Sequence, residues 1–313
     1  MRPHPRRAPG TAAIGLRDPR KDRRTARRIG GELNQPRVPC PHGVTGRRSM
    51  PLENQLENQV QIDTPNTPIT EKIVAVRDAW HTKKHPLFQD MAAGSLDLRV
   101  IGIYMAQHMK FVEYALPSFG LMIWRAPADV RLAVIENLAE EVGLAAIPRP
   151  GHEPHDHMDM IFRFCAAAGL EKDDVLSTRR TPAWWARALH YVHVTREEPL
   201  GVVLAMQATQ EGQQVALNKE ITLPAFAAHY GYQTGDPVID FFAEHAEADE
   251  EHSGRQMALC EKYLEPGDFA RALEVCEVAC RLRWESISDI YRAEVLKETP
   301  ILPPAMDGAA ARS

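Results

Sequence analysis

The chain has 313 residues, of which 44% are hydrophobic, and a formal net charge of −5 at pH 7. This length and composition suffice to bury one substantial hydrophobic core or two small ones. No run of about 18 apolar residues occurs, so the sequence predicts no membrane-spanning helix. The five cysteines are odd in number and lack CxxC spacing, which is typical of reduced thiols in a cytoplasmic protein rather than of a disulfide framework.

The N-terminal segment differs in charge from the rest of the chain. Residues 1–50 contain 13 basic and three acidic residues, a local net charge of +10, so the other 263 residues carry −15. With seven prolines and few apolar residues, this arm cannot bury enough surface to fold. We predict a disordered basic arm and linker over 1–69, and a disordered tail over 300–313.

Three interpretations of the arm remain. It is a tether for nucleic acid or an anionic membrane, an Arg-rich transit-like segment, or translated sequence upstream of a start at Met50. The arm has neither an apolar signal core nor aromatic residues for stacking on bases, which favours the last interpretation. We therefore expect neither a membrane nor a nucleic acid as a partner.

Residues 70–299 have the pattern of helices. Apolar residues recur at threes and fours over 97–116, 129–143, 155–170 and 268–295, and no alternating strand pattern occurs. We predict a single all-α bundle of about seven or eight helices. Its helix boundaries are marked by a predicted N-cap at Asp156, by stops at Gly143 and Gly169, and by breaks or first turns at Pro117, Pro182 and Pro224.

The stretch FFAEHAEADEEHSGR, residues 241–255, contains the most informative spacing. Asp249 and His252 follow His245 by four and seven positions, which brings all three side chains to one face of a helix. The core of a helical bundle is a common place for metals held by carboxylates and imidazoles. The triad is therefore a candidate metal site, and a solvated acidic face is the alternative.

Other helices offer candidate ligands to meet this triad. Glu113 lies on or beside an apolar stripe, where an unpaired carboxylate would need a metal or another partner; a surface Glu paired with Lys110 is the alternative. Glu141 can share a face with the buried row of its helix while Glu140 or Glu136 is solvated, and the pattern permits either arrangement. Among the histidines of GHEPHDH, His157 is best placed to face the core, whereas the other two precede the helix in a Pro-rich segment.

Together these segments resemble the heme-oxygenase-like diiron oxidases, the iron-containing redox enzyme family. The resemblance covers about 70–265 in the order that the family uses. The matching segments are HPLFQDMAAGSL, FVEYALPSF, NLAEEVG, HMDMIFRFCAAAGL, AAHYG and FFAEHAEADEEH.

The resemblance implies a heme-oxygenase-like bundle whose core binds two Fe(II) ions, with dioxygen as cosubstrate. It also implies oxidation of a small molecule, by N-oxygenation, desaturation or carbon–carbon cleavage of an amino acid, an amine or a fatty acid. The family further leaves a homodimer open. The implied iron ligands are Glu113, Glu141, His157, His245, Asp249 and His252.

Two departures from the family pattern bear on the ligand set. Gln207 stands where the family usually has a further glutamate, and Glu211 follows one turn later. Either Glu211 is that ligand, or the second iron binds more weakly. The segment between Glu141 and His157 is also longer than usual, which leaves open whether His155 replaces His157.

Three other classes of protein compete with this interpretation. A ferritin-like diiron bundle needs two Glu-x-x-His units, and only Asp249 and His252 have that register. A metal-free enzyme on the same scaffold, resembling the thiaminase (TenA) or pyrroloquinoline quinone synthase relatives, is the main enzymatic rival; its thiaminase branch needs a nucleophilic cysteine. A non-enzymatic iron-binding helical protein is the third.

Four aromatic residues are candidates for lining a substrate pocket, although packing in the core is the favoured role of each. They are Tyr104, Trp184, Trp185 and Tyr191.

Overall fold

The computed structural model describes residues 67–144 and 155–299, without the side chains of 247–252. The predicted arm up to residue 66 and the predicted tail over 300–313 lie outside these ranges. The described residues form α-helices without a β-strand, which confirms the all-α prediction. Eleven α-helices occur in the described ranges against the seven or eight predicted, because the shortest are too brief to show a helical period.

The helices follow one another with short connections. Their bounds are α1 Ile69–Ala79, α2 Pro86–Ala92, α3 Leu98–Arg125, α4 Ala128–Glu141, α5 His157–Ala167, α6 Lys172–Ser177, α7 Pro182–Glu197, α8 Leu200–Leu217, α9 Leu223–Ala225, α10 Asp240–Tyr263 and α11 Phe269–Ile290.

Several helix ends lie where the sequence predicts them. Asp156 caps α5, because its carboxylate accepts hydrogen bonds from the backbone N–H groups of Met158 and Asp159. Pro182 is the first residue of α7, where the absence of an N–H costs no hydrogen bond. Gly143 and Gly169 follow α4 and α5 with φ of +71° and +76°.

The prediction of a break or a first turn at Pro117 is wrong. Helix α3 continues through Pro117 to Arg125. A proline inside a helix removes one backbone hydrogen bond and crowds the preceding turn. Here the flanking residues Ser118, Phe119 and Met122 are buried in the core, and that burial offsets the cost.

Helix α8 extends beyond its α-helical part. Two π-helical turns, Asn218–Thr222 and Phe226–Tyr230, flank α9 and continue the helix up to Gly231, whose φ is +80°. Pro224 lies between these turns, where the regular hydrogen-bond pattern is already interrupted.

Helices α8 and α10 pack closely and run antiparallel. A Cβ atom on Gly201 would lie 2.4 Å from Cα of Leu264, so only glycine allows this approach. At the other end of the contact, Glu211 of α8 lies close to Gln256 of α10. The pair forms the centre of the bundle and carries two of the elements that build the site described below.

A short bridge joins the residues on either side of segment 145–154. Val142 and Asp156 form an isolated antiparallel β-bridge just after α4 and just before α5. A Cβ on Gly143 would lie 2.7 Å from the backbone nitrogen of Asp156, and its φ is also positive. The end of α4 and the start of α5 are thereby held together.

Two further features of the described residues bear on function. The four described cysteines, Cys165, Cys260, Cys276 and Cys280, are free and buried. Burial raises the thiol pKa of each, to about 12 for Cys165. In the described part of the chain, no helix combines the length and the apolar character needed to span a membrane.

Candidate metal centre

Three helix ends bring together two histidines and a carboxylate. Glu141 is the last residue of α4, His157 is the first of α5, and His245 lies in the second turn of α10. One potential ligand atom from each lies within 4.8 Å of the others. Two imidazoles with one carboxylate is a donor set that suits Fe(II) with coordination positions left open.

Glu141 and His157 are directly paired. Nδ1 of His157 lies 2.8 Å from a carboxylate oxygen of Glu141. Burial raises the carboxyl pKa of Glu141, but the charge and hydrogen bond of His157 outweigh burial and lower that pKa to about 2. Burial likewise lowers the pKa of His157, yet Glu141 raises it overall. A metal cation would take over the neutralising role of the imidazolium.

His245 is oriented by its own helix. Its Nδ1 lies 2.7 Å from the carbonyl oxygen of Phe241, and because a carbonyl only accepts, Nδ1 carries the proton. The lone pair is therefore on Nε2, the usual arrangement of a histidine that ligates a metal. The rings of His245 and His157 are 4.5 Å apart.

Glu211 of α8 lines the same cavity as this group. Its Oε1 accepts a 3.3 Å hydrogen bond from Asn137, whereas its buried Oε2 has no hydrogen-bond partner. Burial, assisted by the charge of Glu141, raises the carboxyl pKa of Glu211 to about 7 against the hydrogen bond from Gln256. A buried carboxylate oxygen without a hydrogen-bond partner is a position at which a cation could bind.

Gln207 has a different neighbourhood. Its amide donates a 3.3 Å hydrogen bond to the hydroxyl of Tyr191, and it lines a smaller neighbouring cavity rather than the one that holds His245. Of the two positions left open by the sequence, only Glu211 therefore faces the candidate metal centre.

The structure does not bring Glu113 to this group. Its carboxylate lies 2.7 Å from Nζ of Lys110 and 2.8 Å from Nη2 of Arg180, and its side chain is 38% exposed. Two cations already neutralise it, so it has no need of a metal. We leave Glu113 out of the proposed ligand set, and the alternative of a Glu paired with Lys110 describes its contacts.

The histidines before α5 are separated in the same way. His155 is half exposed and bonds Glu244 at 2.9 Å, outside the group formed by His157. The side chains of Asp249 and His252 lie outside the described residues, although their backbone continues α10.

The group lies on the wall of a cavity of about 820 Å³, including its opening to solvent. Much of the wall near the group is apolar and comes from α3 and α5, through Phe111, Val112, Ala115, Leu116, Phe119 and Ile161.

Three cavity-lining residues were missed by the sequence analysis: His108, Arg187 and Arg283. His108 falls in the apolar row of α3 between Tyr104 and Phe111, and a polar residue in such a row was the signal that could have found it. Of the four aromatic candidates, only Tyr191 lines this cavity. Tyr104 and Trp184 are core residues, and Trp185 is 38% exposed.

Solved structures with a similar fold are distant in sequence. A domain of unknown function with a heme oxygenase-like fold from Shewanella denitrificans shares 16% identity at a TM-score of 0.58, over 72% of this chain and 92% of that one. A TenA homologue from P. horikoshii shares 12% identity at a TM-score of 0.58, over 72% and 99%. A putative TenA-like thiaminase from Sulfolobus solfataricus shares 14% at 0.52, over 75% and 100%. These likenesses confirm the predicted fold.

The sequence itself indicates the family. No curated protein matches it significantly. Residues 104–284, more than half of the chain, match the family described as iron-containing redox enzyme, and this range includes all the cavity residues described above. The chain therefore belongs to the iron-containing redox enzyme family, on a heme-oxygenase-like helical fold.

Proposed function

We propose that this protein is a non-heme iron enzyme that uses dioxygen to oxidise a small organic substrate. The observation that carries the proposal is the group of Glu141, His157 and His245 on the wall of a largely apolar cavity that opens to solvent. An iron site without a cavity would suit storage, and a cavity without ligands would suit a metal-free reaction. In this protein the potential metal ligands and the cavity lie at the same place.

The donor set fits iron. Glu141, His157 and His245 supply two nitrogens and a carboxylate for one ion. Glu211 supplies a further carboxylate, and its unpartnered Oε2 supports a second, more weakly held ion nearby. Asp249 and His252 complete the proposed set, because their positions fall between His245 and Gln256 on one face of α10, and both of these flanking residues contact groups on the cavity wall.

The chain's own residues have three tasks in this proposal. Bound Fe(II) supplies the electrons and open coordination positions that dioxygen requires. The carbonyl of Phe241 holds His245 in one tautomer and ring orientation, so the ligand needs no reorganisation. Apolar side chains such as Phe111 and Phe119 exclude water and hold the substrate. Glu211 would hold the more weakly bound ion through Oε2.

The metal-free alternative on the same scaffold finds less support. A thiaminase-like reaction needs a nucleophilic cysteine, yet no described cysteine lines the cavity, and burial raises the pKa of all four. A raised pKa keeps a thiol protonated and unreactive. The remaining rival, an iron-binding protein without catalysis, shares the ligands and is separated from the proposal only by turnover.

An anaerobic Fe(II) titration tests the metal centre. Full-length protein freed of metal by chelation should bind up to two ions, one more tightly than the other. His157→Gln should lose the tight site, whereas His155→Gln, an equally small change two residues away at a half-exposed histidine, should retain it. Equal loss in both variants, or no iron above background in wild type, would contradict the proposal.

Turnover then separates an enzyme from an iron-binding protein. The iron-loaded protein should consume dioxygen faster when candidate amino acids, amines or fatty acids are added. His245→Ala should abolish this uptake with the helical circular dichroism signal retained, because the imidazole lies at the cavity wall. Dioxygen uptake that no candidate substrate accelerates, and that survives loss of His245, would count against catalysis at this centre.

A further inference from the structure

A buried arginine on the cavity wall lacks a counter-ion. Arg187 of α7 is only 5% exposed and lines the same cavity as the candidate metal centre. None of the described residues forms an ion pair with it, and its Nε and Nη1 are buried without hydrogen-bond partners. Burying a cation and its N–H donors without compensation is unfavourable, so an arrangement of this kind requires an explanation.

The surroundings of Arg187 orient it without neutralising it. Its guanidinium lies over the ring of Phe111, 4.1 Å from the centroid, and 5.1 Å from that of Trp184. Such cation–π contacts occupy the faces of the guanidinium. They do not use the edge of the guanidinium, which carries the N–H donors.

A second buried guanidinium reinforces the positive charge. Arg283 of α11 is 3% exposed, lines the same cavity, and bonds Gln210 and Gln214 through its two terminal nitrogens, while its Nε has no partner. Burial and the charge of Arg283 lower the pKa of Arg187 to about 9, which leaves it protonated at neutral pH. Burial raises the pKa of Tyr191, which also lies near Arg187, so its hydroxyl stays neutral there.

The carboxylates of the cavity do not pair with these two cations. Glu141 is paired with His157, and Glu211 accepts a hydrogen bond from Asn137 at Oε1, while neither forms an ion pair with Arg187 or Arg283. The described residues therefore offer neither guanidinium a carboxylate, and an anion from outside these residues would neutralise the pair. The pair lies within electrostatic range of His108, which is also within range of Glu141 and His245.

We propose that Arg187 and Arg283 form a subsite that binds the carboxylate of the substrate, with its apolar body lying along Phe111 towards the candidate metal centre. The planar edge of a guanidinium matches a carboxylate in a two-pronged hydrogen-bonded pair. The inference rests on the proposed function for the fate of the bound molecule, whereas the binding itself needs no metal.

Matched neutral and anionic probes test the subsite. Hexanoate and hexanamide have the same length and differ mainly in charge, and their binding is measured by calorimetry on full-length protein with and without Fe(II). Wild type should bind hexanoate at least tenfold more tightly than hexanamide in both forms. In Arg187→Met this preference should fall below about twofold. Arg281→Met is the control, because it removes a guanidinium that lies over Trp80 outside the cavity.

The stability of the same variant separates a binding role from a structural one. Arg187→Met should melt at a temperature no lower than wild type, because an apolar side chain replaces an uncompensated buried cation. If this variant does not fold, the comparison is made with Arg187→Gln, which keeps the length and loses the charge.

Three results would overturn the proposal. They are equal binding of hexanoate and hexanamide in wild type, a preference for hexanoate that survives in the Arg187 variant, and tighter binding of hexyl phosphate than of hexanoate. Since the preference is measured without metal, a failed iron titration leaves this test intact, and a failed probe experiment leaves the iron proposal intact.

Discussion

Replacing Glu211 with glutamine should stabilise the metal-free protein and weaken its affinity for iron. Burial raises the carboxyl pKa of Glu211 from 4.5 to about 7. The folded chain thus binds this proton more tightly than the unfolded chain does. The stability that the proton contributes is fully present below pH 4.5 and is lost as the pH rises through about 7. Glutamine cannot ionise, so Glu211→Gln removes this loss.

The magnitude follows from the shift. One pKa unit corresponds to about 1.4 kcal/mol, so the full shift amounts to roughly 3 kcal/mol. Because Glu211 is not completely buried, solvent screening reduces this to about 2 kcal/mol. For a domain of this size, the difference in melting temperature between the variant and wild type should be roughly 4–8 °C larger at pH 8.5 than at pH 5.

The assay is thermal unfolding of chelated wild type and variant at both pH values, followed by the same measurement with Fe(II). Glu113→Gln is the matched control, since its carboxylate already has two cationic partners and its loss should bring no gain. Fe(II) should stabilise wild type more than Glu211→Gln. The reasoning would be refuted if the stability advantage of the variant over wild type were no larger at pH 8.5 than at pH 5. It would also be refuted if Fe(II) raised the melting temperature of the variant as much as that of wild type.

Three further predictions concern packing, the second carboxylate and the arm. Gly201→Ala should lower the free energy of unfolding by at least about 2 kcal/mol, because its Cβ would collide with the backbone of Leu264. Gly120→Ala is the control and should raise that free energy by up to about 1 kcal/mol, because the space around Gly120 is open. Chemical denaturation measures both. Gln207→Glu should not increase iron occupancy in a Fe(II) titration, since position 207 lines a different cavity; a gain would contradict this placement. A chain starting at Met50 should keep its melting temperature and iron content, and a marked loss would show that the arm contributes to folding.

The helical pattern predicted most of the fold because it depends on local spacing. Asp156 and Pro182 mark helix starts through interactions within a few residues, and these are visible in the sequence. Pro117 was misjudged for the opposite reason: its helix is maintained by burial against distant helices, which local rules do not include.

The residues of the candidate site differ in the same way, because some can be predicted from local spacing and others depend on distant contacts. His245 could be found from spacing on one helix, and His157 from the apolar row that follows it. Glu113 has equally suggestive spacing, but its role is decided by Arg180, a residue 67 positions away. The sequence does not single out Arg187, because an arginine among aromatic residues is usually predicted to be a surface cation. Its burial and its lack of a neighbouring carboxylate are visible only in the folded structure.

The β-bridge between Val142 and Asp156 has a consequence for how this protein can change. It fixes the distance between Glu141 and His157 independently of the residues that separate them along the chain. Segment 145–154 can therefore vary in length and composition at little cost to the pairing of Glu141 with His157. Insertions and deletions there would leave the two side chains in place, so this segment is a position where the sequence is free to diverge.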